Sequence, residues 1–128
     1  MASIIFRPGT TADHAFAFES FMRSMRGSAH AEGADFDSLA KQFLDTLASW
    51  KLLVACTADD PDTILGWVLH RDQATVAHVL VHKLHRQWLK PEQLLKAAGI
   101  ERDFVVVFPN SRQHLAGYQP RFRPWVHG

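Results

Sequence analysis

Residues 75–108 read TVAHVLVHKLHRQWLKPEQLLKAAGIERDFVVVF, and this stretch decides the fold. Residues 75–82 are rich in β-branched and apolar side chains, the composition of a strand. Pro91 suits the first turn of a helix, Leu94 and Leu95 supply an apolar side, and Gly99 suits a C-terminal cap, so a short helix is predicted over 91–98. Residues 104–108 form a continuous apolar run, as in a strand covered on both faces. A strand, a helix and a second strand in that order make a parallel βαβ unit.

Working back from this unit, residues 63–70 carry strand character through Ile64, Trp67 and Val68, and the short turn 71–74 joins them to the 75–82 strand. Asp59-Asp60-Pro61-Asp62 is a turn cluster that separates 63–70 from a further apolar strand at 52–57. The three strands are expected as an antiparallel meander. Upstream, residues 3–8 form a short β-prone run stopped by Pro8-Gly9. Thr10, three residues before Asp13, resembles a capping box, and Phe18, Phe21, Met22 and Met25 follow at helical spacing as far as Gly27. A second helix starts near Asp35, with Phe36, Leu39, Phe43, Leu47 and Trp50 on one stripe. Downstream of the βαβ unit, 111–116 suits one or two helical turns, and 118–126 suits an edge strand interrupted by Pro120 and Pro124. The predicted order is β-α-α-β-β-β-α-β-α-β: an α/β (α+β) fold with one mixed sheet, in a single domain over 1–128.

Composition agrees with one globular core: 128 residues, 47% hydrophobic and 21% charged, which disfavours disorder, collagen and coiled-coil arrays. The single cysteine, Cys56, has no internal disulfide partner, and no long apolar run follows a basic start, so a reducing cytoplasm is the expected setting and no membrane is expected as a partner. Charge is divided between the halves. Residues 1–64 carry 5 Lys+Arg against 9 Asp+Glu, while residues 65–128 carry 9 against 4 and six of the eight histidines. A basic face in the second half suits phosphates, of a cofactor or a nucleic acid, and equally an ordinary dipolar surface.

This order of elements resembles the GNAT superfamily of N-acetyltransferases, over essentially the whole chain. Phe6-Arg7-Pro8, Ile64-Leu65-Gly66-Trp67, Val79-Leu80-Val81-His82 with Arg86, and Arg123-Pro124-Trp125 look especially like small GNAT-type proteins encoded by bacteriophages. The resemblance implies a splay between the 75–82 and 104–108 strands, where the backbone of Val79, Leu80 and Val81 meets the pantetheine arm of acetyl-CoA. It places the pyrophosphate loop, Arg/Gln-x-x-Gly-x-Gly/Ala in that family, on Arg86-Gln87-Trp88-Leu89-Lys90-Pro91. Leu89 adds bulk where glycine lets backbone approach, and Pro91 removes an amide donor, so Arg86 and Lys90 are left to meet the phosphates by charge. Aligning Gly117-Tyr118 with the family's Gly-aromatic pair puts Gln113 where a tyrosine usually protonates the departing thiolate, and leaves Tyr118 as a packing ring. No carboxylate lies on the 75–82 strand, so the resemblance makes His78 or His82 the general base. The acceptor amine would enter from the loop around Arg26 to Glu32.

Other constellations compete for the same residues. His78, His82 and His85 could ligate a metal, but their spacing matches no standard zinc signature and no metal is expected. Cys56 suits a small buried side chain better than a nucleophile. The tail Arg112, His114, Tyr118, Arg121, Phe122, Arg123 and Trp125 interleaves cations with aromatics, as a base-stacking surface or a packed edge strand does. Without a basic average, nucleic acid is not the expected partner. Two functions follow from the resemblance. One is an acetyl-CoA-dependent N-acetyltransferase acting on an amine. The other is a catalytically silent GNAT-like phage protein, in the host cytoplasm or the virion, that binds a macromolecule or a second copy of itself through Trp88, Trp125 and the divided charge.

Overall fold

The computed structural model describes residues 3–26, 36–106 and 119–122. In chain order they form β1 (Ile4–Pro8), α1 (Thr11–Arg26), α2 (Phe36–Ser49), β2 (Lys51–Thr57), β3 (Ile64–His70), β4 (Thr75–Val81), a 3₁₀ turn (Lys83–His85), α3 (Pro91–Ala97), β5 (Asp103–Val106) and β6 (Gln119–Phe122). The six strands lie in one sheet in sequence order; the pairs from β1 to β4 are antiparallel, and β4–β5 and β5–β6 are parallel. The α+β class, the meander and the parallel strand–helix–strand unit agree with the sequence reading. The 111–116 helix, the end of the 104–108 strand, Gln113 and Tyr118 fall outside the described residues.

Local chemistry explains where the elements begin and end. Thr10 and Asp13 form the capping box at the start of α1: Asp13 Oδ2 accepts from the Thr10 amide at 2.7 Å, and Thr10 Oγ1 accepts from the Asp13 amide at 3.4 Å. Asp13 also takes both arms of the Arg7 guanidinium, at 2.6 and 3.1 Å, so the first helix is tied to the first strand by a fork-to-fork pair. The turn after β2 is built by Asp60, whose carboxylate accepts from Thr63 Oγ1 at 2.6 Å and from the Asp62 amide at 3.2 Å. Gly99, at φ +75°, closes α3: the Ile100 amide donates to Leu95 O and the Gly99 amide to Lys96 O, the two bonds of a Schellman cap.

The sheet is covered on both faces. α1 and α2 lay Ala17, Phe21, Met22, Met25, Phe43 and Leu47 on Leu52, Val54, Trp67, Leu69 and Ala77. α3 lays Leu94 and Leu95 on Val68, Val76, Val79, Val81, Phe104 and Val106. Phe21 and Phe43 stack at 4.1 Å, and Trp67 meets Phe43 edge-on at 5.8 Å. Two bulges shift the alternation of side chains, since a residue without an opposite number moves everything after it to the other face. On β3 the register passes from Ala55↔Gly66 to Cys56↔Ile64, which leaves Leu65 unmatched. On β4 it passes from Leu69↔His78 to His70↔Val76, which leaves Ala77 unmatched.

Candidate functional site

The end of β4 gathers the residues singled out above, and the Ala77 bulge decides which way each faces. After the bulge His78 and Leu80 face α1 and α2, while Val79 and Val81 face α3. The backbone alternates as well. The His82 amide donates to Leu65 O at 3.1 Å, so Leu80 and His82 turn their main-chain groups toward β3, and those of Val79 and Val81 face the side of β5. Arg86 uses that direction: its Nε donates to Val81 O at 3.3 Å. Among the described residues β5 pairs with β4 only at Thr75 and Val76. The side chains of Val79 and Val81 are buried in the α3-side core.

His78 is corrected by its surroundings. It is 2% exposed, with Phe21 edge-on at 5.0 Å and the Trp67 ring at 5.4 Å, and burial pushes its pKa down to about 3. A neutral imidazole sealed in an aromatic core meets no substrate. His82 instead lies at the surface end of the strand. Its Nδ1 accepts from the Leu84 amide at 3.3 Å, which assigns the neutral ring's hydrogen to Nε2. In that tautomer the open nitrogen donates a hydrogen bond, so the geometry opposes His82 as a base. His85 stands 5.4 Å from His82 and turns to the other face of the sheet. Its pKa is lowered by burial and by His82. Among the described residues no cluster of three or more His, Cys, Asp or Glu could hold a metal ion.

Two cavities flank this strand end. One, of about 140 Å³, is lined by Phe16, Glu19, Ser20 and Arg23 of α1 and by Leu65, Gly66, Leu80 and His82. Gly66 is required there, because a Cβ would stand 2.7 Å from Leu80 O and 3.2 Å from Val81 Cα. The Ser20 hydroxyl is already occupied: it accepts from Trp67 Nε1 at 2.8 Å and lies within bonding distance of Phe16 O. Glu19 and Arg23 were not foreseen as site residues, since a charge pair on the flank of an amphipathic helix has the pattern of an ordinary solvated surface. The other cavity, of about 670 Å³, is lined by Ile4, Thr57, Thr63 and Leu65 of the sheet and its turn and by His85, Gln87 and Trp88 of the segment before α3, with Trp88 48% exposed.

The expected phosphate loop is built otherwise than a cradle. Leu89 is fully buried in the α3-side core and anchors the segment, Pro91 opens α3, and the Lys90 amide is consumed by Gln93 Oε1 at 2.7 Å. Arg86 and Lys90 are exposed on the same segment. Cys56 is buried, as expected of a small apolar side chain. The side chain of Arg26 and the loop expected to admit an acceptor fall outside the described residues.

No family model and no curated protein matches the chain. Among solved structures it is similar to the solution structure of apo-form YjaB from Escherichia coli, with a TM-score of 0.57 and 17% identity, over 75% of this chain and 64% of that one. The chain thus spans less than two thirds of YjaB, and the likeness is one of fold. No helix among the described residues is long and apolar enough to cross a membrane.

Proposed function

We propose that the chain is a GNAT-like acyltransferase that moves the acetyl group of acetyl-CoA to an amine. The observation that carries this reading is the 140 Å³ cavity at the end of β4, where Glu19 and Arg23 of α1 meet Leu80 and His82. The thioester arm would run along the β5 side of Val79 and Val81, with Arg86 and Lys90 near its phosphates. The amine nitrogen attacks the carbonyl carbon, the new C–N bond replaces the C–S bond, and the proton lost by nitrogen passes to a base while the thiolate leaves. Glu19 is the proton acceptor on the cavity wall. His82, with hydrogen on Nε2, donates to the carbonyl oxygen as charge builds there. Positioning supplies much of such a transfer, so a site without an acid for the thiolate still turns over.

Calorimetric titration of acetyl-CoA, with desulfo-CoA and ATP as controls, tests the reading. Micromolar binding of acetyl-CoA supports it; no heat at millimolar acetyl-CoA overturns it. A second reading, a silent fold that binds a macromolecule, is favoured by the 670 Å³ apolar cavity beside Trp88 and by the burial of Leu89 where a phosphate loop would need open backbone. In that case acetyl-CoA is ignored and Trp88→Ala abolishes capture of the partner.

A further inference from the structure

The cavity between α1 and the end of β4 carries two opposite charges that do not neutralise each other. Glu19 and Arg23 stand one helical turn apart, in the order and spacing at which such side chains ordinarily pair. Among the described residues neither has an ion-pair or hydrogen-bond partner, and both line the same small space. Ser20, between them in sequence, is taken up by Trp67. The rest of the wall is Phe16, Leu65, Gly66 and Leu80, with His82 at the strand end.

This chemistry selects its ligand. A simple cation in the cavity meets Arg23, and a simple anion meets Glu19; either brings like charges together. A molecule with an ammonium and a carboxylate on neighbouring atoms satisfies both at once. The volume holds about five waters, the scale of a compact molecule with a short side chain, and the apolar wall suits a methyl or small alkyl group. We infer that this cavity binds a small free α-amino acid, with its carboxylate on Arg23 and its amino group on Glu19 beside His82. The inference rests on the transferase reading in taking the cavity as the acceptor pocket, and it names the acceptor class.

The test is a titration of the whole chain, followed by ¹⁵N–¹H spectroscopy, with alanine, alaninamide and propionate in turn. Alanine is expected to saturate with shifts centred on residues 16–23 and 80–82, and the two half-ligands to bind about tenfold or more weakly, as loss of a charge-assisted pair requires. Arg23→Gln is expected to bring alanine down to the level of alaninamide, and Glu19→Gln to that of propionate; both positions are exposed, and circular dichroism checks that each variant keeps its fold. Equal binding of alanine and alaninamide, or no saturation by alanine, overturns the inference. Adding acetyl-CoA then separates the two claims. Alanine that binds where acetyl-CoA does not leaves the amino-acid site and removes the transferase, whereas acetyl-CoA binding without a preference for alanine removes the amino acid alone.

Discussion

Asp13 holds three structural features together with one carboxylate: the cap of α1, the Arg7 fork and the junction with β1. The Arg7 guanidinium is the main reason its pKa falls to about 2, from an ordinary 3.8. Asp13→Ala strips the cap and takes from Arg7 its carboxylate partner, leaving it the carbonyls of Pro8 and Pro61. A loss of about 2–3 kcal/mol is expected in urea denaturation. The capping box was legible because Thr10 and Asp13 are three residues apart and the chemistry is local. The fork was not, since nothing in residues 7–13 says that the strand bends back onto its own helix. The same division holds at the site. That His78 and His82 share a face follows from the period of a strand, but the covering of one by Phe21 and Trp67 depends on how two distant helices dock, and no local pattern records it.

At the level of elements, the two caps of α3 and the two bulges show what sequence does and does not carry. Gly99 was readable as a cap because φ +75° excludes most side chains, and Gly99→Ala is expected to cost about 1 kcal/mol, read as a lowered thermal midpoint. Gly66 is stricter. A methyl there pushes on the β4 main chain itself at Leu80 O, so Gly66→Ala is expected to cost about 2 kcal/mol or more and to distort the small cavity; unchanged stability would show that β3 and β4 can part without penalty. The bulges at Leu65 and Ala77 left no trace in the residue pattern, because a bulge is a property of two strands in register. Glu19 and Arg23 were illegible for a related reason: only the approach of α1 to the end of β4 distinguishes them from other surface charges.

For the whole molecule the buried imidazoles set the response to acid. His78 titrates near 3 in the folded chain against about 6.5 unfolded. Its contribution is therefore complete above pH 6.5 and is lost as pH falls from there toward 3, by roughly 1.4 kcal/mol per pH unit at most. His70 and His85, also lowered by burial, act in the same direction. Asp13 adds a second loss only below about pH 4. Stability measured by denaturant at successive pH values should thus begin to decline well above the carboxylate range, and His78→Leu should flatten that early decline whatever it does to stability at pH 7. A wild-type profile level down to pH 4 would mean that His78 gains a proton without unfolding.

The Trp67 indole is buried, sits 5.4 Å from the His78 ring, and donates its N–H to Ser20 on the rim of the small cavity. A protonated imidazole quenches a neighbouring indole, whereas a neutral one does so weakly. Because His78 stays uncharged, this tryptophan should emit as a bright, blue-shifted fluorophore across pH 5–8, dimming only when the chain opens. Its single hydrogen bond runs to the α1 turn that holds Glu19 and Arg23, so the protein contains a native optical gauge of that cavity. Ser20→Ala should shift the emission without any dye being added.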